Sequence, residues 1–149
     1  MYIEFTNKLK SKKRSHIENI IRFCVLEMLN EKDWTGLEIE VNVTKSTADG
    51  FCEYSDTNFS PKSFILEINK DLEGEELTKT VIHEMVHVKQ YVKGQLKERY
   101  NPVHHHLWHK EMIIVNDDNF YSVPWEVEAR ELEQILFERY SNVYNTQIN

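Results

Sequence analysis

Leu77, Val81, Met85, Val88 and Val92 recur three or four positions apart, which draws a single apolar stripe along a helix over residues 75–92, stopped by Gly94. A helix with that stripe has to be covered, so it belongs at the centre of a domain and requires a sheet or further helices against it. The rest of the chain supplies both. Residues 37–43 (Leu-Glu-Ile-Glu-Val-Asn-Val) alternate strictly and read as a strand with one buried face, and shorter strands are expected at 51–54 and 63–69. Ile17, Ile20, Ile21, Cys24 and Met28 give a first helix from about residue 15, capped by Ser15, to about 30. Residues 107–108 and 112–115 suggest a hairpin within an otherwise irregular stretch. Pro124 opens a last helix to about residue 140, and the polar tail from Ser141 is expected to fray. The 149 residues make one α+β domain, with a small, mainly antiparallel sheet.

Composition narrows the function classes. A formal net charge of −7 argues against a general nucleic-acid binder, although Lys8, Lys10, Lys12, Lys13 and Arg14 cluster before the first helix. Such a run reads first as a solvated face and second as a contact for phosphate or an acidic partner. No apolar run approaches the roughly 18 residues of a membrane span, and the N-terminus lacks a basic start and apolar core. A cytoplasmic, intracellular protein is expected. Cys24 and Cys52 form no CxxC pair and are expected to be free thiols. Oligomeric state is not legible.

The central helix carries the chemistry. His83-Glu84-Met85-Val86-His87 places two imidazoles four positions apart, hence one above the other, at the spacing a zinc ion needs. Glu84 sits one step round the helix, positioned to act as general base on water activated by the metal rather than to ligate it. Two ligands and a base in five residues predict hydrolysis of a peptide bond, with one Zn²⁺ per chain and a peptide or protein substrate.

The order helix, strands, residues 64–69 and then Thr80 to Val88 resembles the minimal zincin metallopeptidase architecture, in which an antiparallel edge strand beside the active helix binds substrate by strand addition. The strand preceding the motif was the expected edge. His83 to Gln90, followed by Pro124-Trp-Glu-Val-Glu-Ala-Arg130, is similar to small SprT-like and phage-encoded metallopeptidases that carry HEMVHxxQ and PWExEA. The resemblance implies Glu126, three residues before Ala129, as third zinc ligand, with Glu128 as the neighbouring alternative. Against it stands a helix-capping role for Glu126 near the helix start. The rival ligand is His104 in His104-His-His-Leu-Trp108, which imitates the histidine-type pattern of SprT proteases except that His105 replaces the family's glycine. His105, His106 and His109 are candidates to line the cleft. Tyr121, Arg130 or a loop histidine are candidates to stabilise an oxyanion. Related glutamate-type enzymes carry an acidic residue four beyond the third ligand. Here that position is Arg130, which leaves open what orients the ligand histidines. Two alternatives accompany the peptidase reading: a zinc-binding interaction or processing module without efficient turnover, and a SprT-like protease acting on DNA-attached proteins.

Overall fold

The computed structural model describes residues 1–56, 60–98 and 105–148. Its elements run β1 (Tyr2–Phe5), α1 (Ser11–Met28), α2 (Glu31–Trp34), β2 (Glu38–Thr44), β3 (Gly50–Tyr54), β4 (Ser63–Asn69), α3 (Gly74–Val92), β5 (Leu96–Glu98), β6 (His105–Trp108), β7 (Glu111–Ile114) and α4 (Pro124–Ile148). The class is α+β as expected. The alternation of residues 37–43 becomes β2, with Ile39, Val41 and Val43 buried, and β4 buries Phe64, Leu66 and Ile68 in the same way. These side chains, the apolar face of α1 and the stripe of α3 form one core. Because α3 packs on α1, α4 and the sheet, it is buried well beyond its stripe, taking in Glu84, His87 and Gln90.

The main sheet has the order β1-β2-β4-β3 and corrects two expectations. It is mixed, with β1–β2 and β2–β4 parallel and only β3–β4 antiparallel. Parallel neighbours need a long crossover, and α1 provides it between β1 and β2. Residues 1–5 form a strand only through that pairing across α1, which periodicity along the chain does not report. The strand preceding the HExxH helix, β4, is interior rather than an edge. The edge beside α3 is β3, and β3 is antiparallel to its neighbour.

The expected hairpin is present as β6–β7, turned by His109 and Lys110, both at positive φ as a two-residue primed turn requires. β5 joins it as a third, unexpected strand. α1 starts at Ser11, so Ser15 lies inside the helix and does not cap it. α4 runs past Ser141 to Ile148. Tyr140 packs edge-on against Phe23 and stacks on Tyr144, an aromatic contact that ties this part of the helix to α1.

Part of the basic run has a structural task. Lys13 Nζ donates to the carbonyls of Lys70 (2.8 Å) and Leu72 (3.0 Å) and pairs with Glu73, tying α1 to the turn before α3. Arg14 lies over the Phe5 ring. Lys8, Lys10 and Lys12 are exposed. No helix among the described residues is long and apolar enough to cross a membrane. Cys24 and Cys52 are unbridged.

Candidate metal centre

The four-residue spacing on α3 turns both histidines to one side, and the N-terminus of α4 crosses over them. Glu126, in the first turn of α4, meets both rings. Its carboxylate oxygens lie 3.3 Å from His83 Nε2 and 3.1 Å from His87 Nε2. One ligand atom from each of the three residues falls within 4.8 Å of the others, so the group could hold a metal ion. Two imidazole nitrogens and one carboxylate oxygen form a three-donor set that leaves a fourth tetrahedral position open. Glu126 therefore faces the histidines instead of capping its helix.

Of the competing residues, Glu128 is engaged elsewhere. Lys89 Nζ (2.7 Å) and Gln90 Nε2 (3.1 Å) hold the carboxylate of Glu128. His104 lies outside the described residues.

The far nitrogens of both rings also have acceptors, which fixes the two Nε2 atoms as the ligand atoms. His87 Nδ1 faces Gln90 Oε1 at 2.8 Å. Gln90 is fully buried, and its Nε2 donates to the Trp125 carbonyl (3.0 Å) and to Glu128, so every polar atom of the amide is used. A buried amide left unpaired would cost about 1–3 kcal/mol, and this network removes that penalty while locking the His87 ring. His83 Nδ1 lies 3.3 Å from Glu133 Oε1. Glu133 answers the question raised by Arg130. The carboxylate behind the first histidine comes from two turns beyond Glu126 rather than one, while Arg130 turns away and donates to the Tyr121 carbonyl at 2.7 Å. Sequence reasoning missed Glu133, yet a seven-residue step from Glu126 keeps it on the same helical face, and that signal was available. Glu133→Gln, which keeps an acceptor but removes the charge, is expected to lower metal affinity about 10- to 100-fold. Calorimetric titration against wild type reads this directly, and unchanged affinity would remove Glu133 from the site.

Glu84 is 6% exposed and lines the same cleft, against the edge strand. At Gly50 a Cβ would stand 2.8 Å from Thr80 Cγ2 and 2.9 Å from Glu84 Oε1, so β3 can lie this close only with glycine there. The cleft has a volume of about 460 Å³ and runs from β3 across the three ligand residues to β5, β6 and Trp125. Of the candidate loop histidines, His106 lines it, stacked on Trp125 with ring centroids 5.2 Å apart. His105 and His109 do not. Tyr121 is 76% exposed and also lies outside the lining.

The electrostatics follow from three carboxylates around two rings. Burial opposes a charged His83, but hydrogen bonds to Glu126 and Glu133 outweigh it and bring its pKa up to about 10. Burial likewise opposes charge on His87, and Glu126 again prevails, so that pKa is raised. Burial would lift Glu126, yet the two histidines hold it down at about 2. Burial dominates at Glu84 and raises its pKa despite the nearby rings. In the absence of metal, His83 is therefore protonated at pH 7, and a metal ion must displace that proton to reach the Nε2 lone pair. Metal binding at pH 7 is expected to release at least about one proton and to tighten as pH rises toward 10. Calorimetry in buffers of different ionisation enthalpy counts the protons. An apparent enthalpy independent of buffer would contradict this electrostatic picture.

Comparison of the chain with protein-family models, curated proteins and solved structures found no match. The chemistry of the site therefore rests on its own geometry.

Proposed function

We propose that the protein is a zinc-dependent peptidase that hydrolyses peptide bonds at the His83, His87 and Glu126 cluster with Glu84 as general base. The observation that carries this reading is the convergence of the two Nε2 atoms and the Glu126 carboxylate beside a buried carboxylate in one open cleft. A bound zinc ion would supply Lewis acidity toward a peptide carbonyl and acidify water. Glu84 takes a proton from the attacking water and returns it to the leaving amine nitrogen. Its raised pKa makes it a stronger base than an ordinary carboxylate. Glu133 and Gln90 hold the rings in register, and the open side of β3, the terminal strand of its sheet, offers backbone groups to an extended substrate. Imidazole with carboxylate suits zinc among the common metals, and three protein ligands are the pattern of a reactive rather than a structural zinc site.

The other two readings draw less support. A module that only binds zinc has no use for a base packed against the cluster. A protease acting on DNA-attached proteins would use the basic N-terminal run, but Lys13 and Arg14 are engaged within the fold. The test is elemental analysis of protein purified without chelators, combined with cleavage of an unfolded protein such as casein before and after chelation. About one zinc per chain, with cleavage lost on chelation and restored by zinc, is the expected result. Absence of zinc even after zinc is supplied would overturn the reading.

A further inference from the structure

The peptidase reading uses two of the three carboxylates that line the cleft, Glu84 and Glu126. The third, Glu98, is left over, and its surroundings indicate what it is for. His83, His87 and Tyr91 form one row on α3, each four residues after the last, so Tyr91 continues the ligand row by one step of about 6 Å along the helix axis. The Tyr91 hydroxyl donates to Glu98 Oε1 at 2.9 Å, and the Tyr54 hydroxyl reaches Oε2 at 3.4 Å. Two phenols thus fix the carboxylate at the Tyr91 end of the cleft. Among the described residues no Lys or Arg pairs with Glu98. Its remaining neighbour, His106 Nε2 at 4.0 Å, is charged only when protonated. The Glu98 side chain keeps 40% of its surface, the most among the carboxylates in the ion pairs of the cleft. The cleft that holds both Glu98 and the three converging residues is also lined by the apolar and aromatic side chains of Tyr91, Leu96 and Trp125.

An apolar side chain lying there would strip water from an anion and return nothing. An acidic one would be repelled. A group with an apolar stem and a cationic head gains a charge-assisted hydrogen bond to Glu98 while its stem covers the aromatic walls. The same ring faces attract cations. We propose that Glu98 selects substrates carrying an ammonium or guanidinium group near the scissile bond, an inference that rests on the peptidase reading. The cation can be a lysine or arginine side chain or the α-amine of a peptide's N-terminus, since both present the same chemistry to the carboxylate.

The test uses zinc-loaded protein carrying Glu84→Gln, so that peptides bind without turnover, and octapeptides of neutral residues along which one lysine is walked. Each is compared with its norleucine and glutamate counterparts, with the N-terminus free or acetylated, by calorimetry. The expected result is about 10- to 100-fold tighter binding for one lysine position or for the free amine, the discrimination typical of a hydrogen bond to a charged group. Glu98→Gln added to Glu84→Gln should bring the ratio to about one. Loss on acetylation alone assigns the cation to the N-terminus, and loss on norleucine replacement assigns it to a side chain. Equal affinities across the series overturn the selection. The lysine-to-norleucine comparison reads this with Glu98 intact, so it does not depend on the variant folding. Zinc-loaded wild type is assayed on the same peptides for cleavage. Cleavage without charge preference sinks the selection and leaves the peptidase standing. Charge-selective binding without any cleavage does the reverse, and neither binding nor cleavage overturns both.

Discussion

Glu84→Gln is expected to keep about one zinc per chain and to lower peptide hydrolysis by about 10²- to 10⁴-fold, the range a positioned general base supplies. The two halves of this result have separate causes. Zinc would be held by His83, His87 and Glu126, whose ligand atoms converge, and Glu84 is not one of that group. Glutamine fills the same space against Gly50 and Thr80, so β3 stays in place. What disappears is the carboxylate that, on the proposed reading, accepts a proton from water and passes it to the leaving nitrogen. Elemental analysis and a fluorogenic peptide assay on the same preparation read both halves. Retained hydrolysis would remove Glu84 from the reaction. Lost zinc would mean that Glu84 helps to hold the metal, and the division of labour drawn here would be wrong.

Glu126→Ala is expected to lose zinc, with affinity falling by more than about 100-fold, beyond the upper range for a residue that only supports a ligand. Glu128→Ala is the control. It lies two residues away on the same helix turn, but its carboxylate is held by Lys89 and Gln90, so zinc content should persist with at most a modest decrease through loosening of Gln90 behind His87. His104→Ala completes the set. Zinc lost in that variant and retained in Glu126→Ala would transfer the third ligand to the histidine and overturn the assignment. Circular dichroism separates loss of metal from loss of fold, since Glu126 lies in the first turn of α4 whereas the core of that helix is carried by Trp125, Ala129, Leu136 and Tyr140.

Much of this was legible in the sequence because it is written locally. The stripe of α3, the alternation of β2 and β4, the hairpin after residue 104 and the Pro124 start are short-range patterns, and each became the expected element. The HExxH pair needed only the helical repeat to bring His83 and His87 to one side. Glu126 entered through resemblance to glutamate-type zincins, and its meeting with the two rings is a contact between helices that no local period contains. The same limit explains the misses. A parallel pairing such as β1–β2 joins segments on either side of α1, so it leaves no mark along the chain, and it turned an expected antiparallel sheet into a mixed one. The order of strands, not their pattern, decided that β3 rather than β4 is the edge beside Glu84.

The sequence by itself determined the central helix and the placing of His83, Glu84 and His87 on it, because these follow from side-chain type and from a repeat of 3.6 residues. Only the tertiary structure decided what stands behind and beside them. It placed Glu133 on His83 and Gln90 on His87, turned Glu128 and Arg130 elsewhere, and brought Glu98 to the end of the ligand row. Those choices depend on how α4 crosses α3 and how β5 folds back beside Tyr91, and such packing is set by the whole core at once.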